Sequence, residues 1–169
     1  VAAAVLVAGC ATGAARAAVF QEPAAFVAET FGGNPPPAQV LWLDEATQRE
    51  IVAILGHRYP LLRLRYWREG PRSAWVLEEI GKEEPITTGI AIRGGHIERL
   101  KVLIYRESRG GEVRYPFFTD QFKGLALQTD RTLDGRVDGI SGASLSVDAL
   151  TRLARLALYL DGLAMRAPP

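Results

Sequence analysis

The chain has 169 residues, 48% of them hydrophobic and 23% charged, and its 20 Lys and Arg against 19 Asp and Glu leave a formal net charge of +1. These proportions argue against a disordered, collagen-like or multi-span membrane protein, and the balanced charge offers no overall attraction for nucleic acid or an anionic membrane. One cysteine excludes an internal disulfide, and with only two histidines it makes a poor donor set for a metal centre.

Val1 to Val7 (VAAAVLV) is a small apolar run, followed by an alanine-rich zone that ends near Ala18. The run is shorter than the ~20 apolar residues that span a bilayer and has the texture of an export-signal core with its processing zone. No basic segment precedes it, so the start of such a signal is expected to lie outside this sequence. Two processing readings compete. Cleavage after Ala15-Arg16-Ala17 would release a soluble protein near Ala18, whereas the lipobox-like Val7-Ala8-Gly9-Cys10 would anchor the protein through a lipid on Cys10. Both place it outside the cytoplasm, and soluble release is preferred because Leu, not Val, is usual at the first lipobox position. A buried N-terminal helix is disfavoured because the run has no polar face. The expected plan is a signal peptide over 1–18, a short helix and Pro-rich linker over 19–38, and one main domain over 39–165.

Glu22 to Phe31 reads as a short helix with Pro23 at its start, stopped by Gly32-Gly33-Asn34-Pro35-Pro36-Pro37. Asp44 opens a second helix as its cap, with Ile51, Ile54 and Leu55 on one face and Gly56 past its end. From Pro60, Leu62, Leu64 and Tyr66 alternate with Arg63 and Arg65, the period of a half-buried strand. Five arginines between Arg58 and Arg72 are read as the solvated face of that strand, not as a nucleic-acid patch. Ala74 to Ile80 and Ile86 to Arg93 are further strands. Gly94-Gly95 joins the latter to His96–Tyr105 as a two-residue hairpin that needs positive φ. His96 is read as an exposed strand-end residue. A loop follows Tyr105, then the aromatic cluster Tyr115-Pro116-Phe117-Phe118 with a short helix from Pro116 or Thr119. After a polar stretch from Gln128 to Asp138, a last helix runs from Ser144 to about Leu160 with Val147, Leu150, Ala154, Ala157 and Leu158 on its apolar stripe. Helices at both ends of a run of strands predict an α+β domain: an antiparallel sheet with flanking helices.

The stretch with chemical content is Asp138-Gly139-Ile140-Ser141-Gly142-Ala143-Ser144-Leu145-Ser146, directly before the last helix. Unpaired N–H groups at a helix N-terminus, the positive end of the helix dipole, small residues and serine hydroxyls suit a phosphate. The alternative is that Ser141 or Ser144 is a plain N-cap.

The run D-G-I-S-G-A-S resembles the flavinylation motif D-x-x-(S/T)-G-A-(T/S) of the FMN-binding domain family found in the C subunit of the sodium-pumping NADH:quinone oxidoreductase and the G subunit of Rnf complexes. Glu107-Ser108-Arg109-Gly110 stands in the place of that family's E-T-P-G loop, and Gln121-Phe122-Lys123-Gly124 is similar to its Q-F-x-G segment, so the resemblance spans roughly residues 74 to 160. In the family a dedicated flavin transferase attaches FMN through a phosphoester to the hydroxyl residue after the Ala, which here is Ser144. The sequence departs from the family in having Ser as acceptor where Thr is usual, and in lacking the Thr and Pro of E-T-P-G.

What the resemblance implies is a periplasmic electron-transfer flavoprotein, in which the chain tethers and tunes the flavin and the flavin supplies the redox chemistry. Its expected cofactor-binding residues are Ser144, Asp138, Ser141, Gly142, Ala143, Ser146, Glu107, Gly110 and Gly111, with no catalytic or metal-binding set of its own. Asp138 either positions metal or phosphate for the transferase or forms an Asx turn, and Ser146 is a further phosphate donor. Tyr115, Phe117 and Phe118 are candidates to lie against the ring, with N–H groups near Gly110 and Gly111 steadying it when anionic. The expected partners are the flavin transferase and a membrane reductase or a cytochrome. The alternatives are a non-covalent FMN binder of the same fold and a flavin-free adaptor that binds protein through the arginine-rich ribbon. A serine hydrolase is disfavoured, since no G-x-S-x-G elbow surrounds Ser144.

Overall fold

A computed structural model describes residues 16–166; most of the expected leader, with the lipobox-like segment and Cys10, lies outside the described residues. The elements are β1 (Ala18–Val19), α1 (Pro23–Thr30), β2 (Gln39–Trp42), α2 (Glu45–Leu55), β3 (Arg63–Glu69), β4 (Arg72–Ile80), β5 (Pro85–Arg93), β6 (His96–Tyr105), α3 (Pro116–Thr119) and α4 (Ser144–Arg166). Six strands form one antiparallel sheet in the order β1-β6-β5-β4-β3-β2. The expected α+β architecture is therefore what the chain adopts.

Local chemistry places the elements. Asp44 accepts the Thr47 N–H at 2.8 Å to cap α2, and Gly56 closes it in the left-handed region. Gly94 and Gly95 both take positive φ, 58° and 78°, and make the two-residue β5–β6 turn that pairs Arg93 with His96. His96 sits exposed beside it. Two strands escape the sequence pattern: β2, four residues directly after the proline run, and β1, two residues paired with the end of β6. The third strand starts at Arg63, and Leu62, expected on the strand's buried side, is instead 75% exposed.

The sheet is covered on both faces. On the front, α2 and α4 pack on Leu41, Leu64, Tyr66, Trp75, Leu77, Ile86, Ile90 and Ile97. On the back, Phe26, Val27 and Phe31 of α1 and its C-terminal flank pack on Ala74, Ala91 and Leu103. The close approach of α1 depends on Gly89, where a Cβ would fall 2.6 Å from the Phe26 ring. The last helix runs to Arg166, past the expected end near Leu160, because its inward side continues through Asp161 and Ala164. Asp161, almost fully buried, binds Arg68 and the Ser73 hydroxyl, and Ser73 Oγ accepts the Trp75 indole N–H at 3.0 Å.

A second buried carboxylate ties the front layer together. Glu79 accepts from His57 Nε2 at 3.0 Å and lies 3.5 Å from Arg152 of α4, while His57 Nδ1 donates to the Arg58 carbonyl at 2.9 Å. The Glu79 hydrogen bond, then that to Arg58, raises the His57 pKa above its ordinary value against the opposing effect of partial burial. A raised folded-state pKa contributes stability below the unfolded value near 6.5, lost as pH climbs through the folded one. Urea midpoints are therefore expected to fall as pH rises from about 6.5 through the raised folded-state pKa, and His57→Gln to flatten that slope. Because the imidazole is half exposed, the effect stays below about 1 kcal/mol.

Candidate functional site

The functional site forms where the end of β6 meets the start of α4. The β6 strand carries an irregularity opposite Thr87 and Thr88, where pairing skips from Ile104 to Val102. This bulge shifts the in–out alternation. Leu100, Val102 and Tyr105 consequently share the front core although their spacing breaks the period of two. Tyr105 thus reaches α4: its hydroxyl donates to the Arg109 carbonyl and lies 2.9 Å from Ser146 Oγ, which donates to it in turn. Burial is the main cause that raises the Tyr105 pKa, which keeps the phenol neutral and able to donate.

Gly110 sits inside this junction at a φ of 79°, and a Cβ there would come within 3.0 Å of both Ser146 Oγ and Tyr105 Oη. Gly110→Ala is expected to cost about 1–2 kcal/mol from the backbone alone, plus the clash. Thermal unfolding measures the loss.

Glu107 anchors the other end of the loop. One of its carboxylate oxygens accepts the N–H groups of Lys82, Glu83 and Glu84 at 2.5, 2.7 and 3.0 Å. Partial burial pushes its pKa up, but these three bonds and the Lys82 charge together hold it below its ordinary value. The β4–β5 turn is thereby pulled beside the loop after β6, bringing Lys82 to the site.

The start of α4 completes the arrangement. Gln121 brackets Asp138, accepting its N–H at 2.7 Å and donating to its carbonyl at 3.4 Å, which gives the Gln of the Q-F-x-G segment a structural purpose. Phe122 is buried, and Gly124 turns the chain so that its N–H reaches the Ile97 carbonyl. A tight turn through Ser141 and Gly142 then lets Ala143 N–H bond the Ile140 carbonyl at 3.0 Å. Ala143 is the residue before the helix and has no capping oxygen, so the N–H groups of Ser144, Leu145 and Ser146 meet no acceptor among the described residues. Neither Ser141 nor Ser144 acts as an N-cap. Ser144 is exposed in the first turn, its hydroxyl without an intramolecular partner among the described residues.

These pieces line a cleft of about 660 Å³ formed by Lys82, Glu107–Gly110 and Gly142–Ser146, within the ~300–1,000 Å³ usual for small-molecule sites. Its floor is the unpaired end of a 23-residue helix, and the cations Lys82 and Arg109 stand at its side. An anion is the ligand this field accepts. The exposed Leu145 adds an apolar rim, and Tyr115 and Phe117, 44% and 64% exposed with ring centres 6.4 Å apart, form an apolar surface on the segment that follows the loop.

Of the expected residues, Glu107, Gly110, Gly142, Ala143, Ser144 and Ser146 meet in the cleft. Ser141 faces the adjoining hollow on the other side of Ser144. Asp138 is outside the cleft, its exposed carboxylate 2.9 Å from Arg136 rather than closing an Asx turn. Gly111 begins a short 3₁₀ turn and does not line the cleft. Ser146 is turned inward onto Tyr105, so its hydroxyl holds the junction and is not free for a phosphate. Phe118 is fully buried against Phe122 and cannot meet a ligand ring. Sequence reasoning missed Lys82, Ser108, Arg109, Leu145 and the Tyr105 hydroxyl. Ser108 and Arg109 lie inside the loop bounded by Glu107 and Gly110, whereas Lys82 is brought in by Glu107 alone and has no local signal.

Comparison with known proteins agrees with this geometry. A family model described as the FMN-binding domain matches residues 81–159, the segment that builds the cleft. The fold is similar to the crystal structure of Shewanella oneidensis NqrC, with a TM-score of 0.58 and 12% identity over 82% of this chain and 91% of that one. It is also similar to the crystal structure of the corresponding NqrC-type component of the Na(+)-translocating NADH-quinone reductase from Parabacteroides distasonis, with a TM-score of 0.53 and 18% identity over 83% of each chain. No curated protein sequence matches the chain.

Proposed function

We propose that the protein is a periplasmic electron carrier that holds in this cleft FMN, the cofactor of the FMN-binding domain whose family model matches residues 81–159, joined by a phosphoester to Ser144. The observation that carries the covalent reading is the state of Ser144: a free, exposed hydroxyl in the first turn of an uncapped helix, inside a cation-lined cleft.

The site fits the group. The N–H groups of Ser144, Leu145 and Ser146 and the charges of Lys82 and Arg109 would hold the phosphate, and Leu145 with the Tyr115–Phe117 surface offers apolar contact for a ring. An ester from Ser144 Oγ to the phosphorus would form as the donor's own P–O bond breaks, its leaving group taking up the serine proton, and would add FMN less one water to the chain. Bound flavin supplies one- and two-electron redox chemistry. The residues around it position it, fix its phosphate, and leave it open toward partners. Tyr105 and Glu107 are positioning residues that hold the cleft's two loops in place.

An exported location is supported by the apolar leader and its processing zone. Tethering is useful there, where a dissociated flavin is not readily replaced. The partners that this reading requires are a flavin transferase and, for electrons, a membrane reductase or a cytochrome. The test is co-expression of the exported chain with a bacterial flavin transferase, followed by intact-mass measurement. A gain of FMN less one water on the Ser144 peptide is the expected result. An unmodified, colourless protein overturns the reading, and an unmodified yellow one keeps FMN but removes the ester.

A further inference from the structure

Among the described residues, the β2 edge of the sheet is open in two respects. Leu43 N–H bonds the Leu62 carbonyl at 2.9 Å, and in the same register Leu41 lies opposite Leu64 and Gln39 opposite Tyr66. The intervening residues, Val40 and Trp42, therefore turn their N–H and C=O groups away from β3 toward the free edge. Their side chains lie on the back face, 47% and 63% exposed, opposite Arg65 and Arg63 respectively. The Arg63 guanidinium stands 5.6 Å from the centre of the Trp42 ring.

The charge at the β2–β3 end of this face is uncompensated among the described residues. Arg68, Arg72, Arg93 and Arg99 of the same sheet each pair with a carboxylate, whereas Arg63 and Arg65 have none among the described residues. The opposite edge is treated differently: β6 is covered by β1 at Tyr105 and Ile104, and Ile97 exchanges hydrogen bonds with Gly124 and Leu125. The β2 strand itself, Gln-Val-Leu-Trp, has none of the lysine, proline or inward charge that blunts an edge.

We propose that β2 is a docking edge for an extended segment of a partner protein, which adds as a further strand and carries Asp or Glu side chains facing Arg63 and Arg65. Two free amide sets in register call for a strand. The unpaired arginines select acidic side chains, and the Trp–Arg composition is that of interface anchors. A lipid surface would satisfy Trp42 and the arginines but not the ordered backbone groups. A second copy would gather four uncompensated arginines on one face.

The experiment uses the full chain and short acetylated peptides of alternating Glu and Val or of alternating Lys and Val, with amide resonances of Val40 and Trp42 and fluorescence anisotropy as readouts. The Glu peptide is expected to shift those two amides and to bind at least about tenfold more tightly than the Lys peptide. The Arg63→Glu, Arg65→Glu pair should reverse the preference. Val40→Pro should abolish binding, since it removes only an outward N–H and leaves the β3 ladder intact. Equal affinity for both peptides, or none for either, overturns the proposal. So does arginine-dependent flotation with phosphatidylglycerol vesicles without peptide binding, which would assign the face to a membrane, or concentration-dependent dimerisation lost in Trp42→Ala, which would assign it to a second copy. Flavin loading should be unchanged in every variant, so this result and that at Ser144 stand apart.

Discussion

Replacing Ser144 with Ala is expected to remove covalent flavin entirely when the protein is co-expressed with a flavin transferase, while leaving the fold as stable as before. Both halves follow from the same geometry. The hydroxyl is the only group that Ala lacks, and without it there is no oxygen to bond phosphorus. Yet Ser144 is exposed, caps nothing and has no hydrogen-bond partner among the described residues, so the thermal midpoint should move by no more than a surface substitution does, within about 0.5 kcal/mol. Ser144→Thr keeps the hydroxyl and should remain modified. Intact mass and a melting curve on the same three samples check all of this. A modified Ser144→Ala protein would move the acceptor elsewhere, with exposed Ser141 next in line; buried Ser146 is held by Tyr105.

Asp161→Ala should have the largest effect on stability. Asp161 is 4% exposed at its side chain and Arg68 14%, and removing the carboxylate leaves a guanidinium facing the core with its partner gone. Breaking such a pair from one side costs about 3–5 kcal/mol, a large part of the ~5–15 kcal/mol available to a domain. Ser73 loses its acceptor in the same step, and Trp75, stacked on Tyr66 at 4.8 Å, depends on that serine for its indole N–H. Chemical denaturation should show the fall in midpoint, and indole fluorescence should report loosened packing around Trp75. Removing both charges, as in Arg68→Met with Asp161→Leu, should recover most of the loss, because the cost lies in the unpaired ion.

How far the sequence carried these conclusions depended on whether a signal was local. Asp44 and Gly56 mark α2 through chemistry confined to a few residues, as Gly94-Gly95 does for the hairpin, and both elements lie where that chemistry puts them. The small, hydroxyl-rich segment before α4 stood out equally, and six of the nine expected residues line one cleft. Tyr105 was not legible. A strict period of two sets it on the same face as Leu103, and only the bulge in β6 sends it to the front. Lys82 owes its place to three N–H bonds made by a residue 25 positions away. The β2 strand is too short for alternation to appear, and its pairing depends on β3. Phe118 shows the converse: aromatic character marked it as a ligand contact, whereas the packing of α3 made it core.

Strands β2 to β6 each pair with their neighbour in sequence, so most of the sheet can assemble through short chain closures, which are fast. The candidate cleft cannot. It needs Ser146 to reach Tyr105 across 41 residues, while β1 waits for the far end of β6 before it has a partner. Ser144 is thus presented in its cleft only after the late, long-range closures are complete. An attaching enzyme that recognises the assembled cleft would modify finished molecules and pass over partly folded ones, so that the yellow colour of a preparation would count the chains that had completed folding.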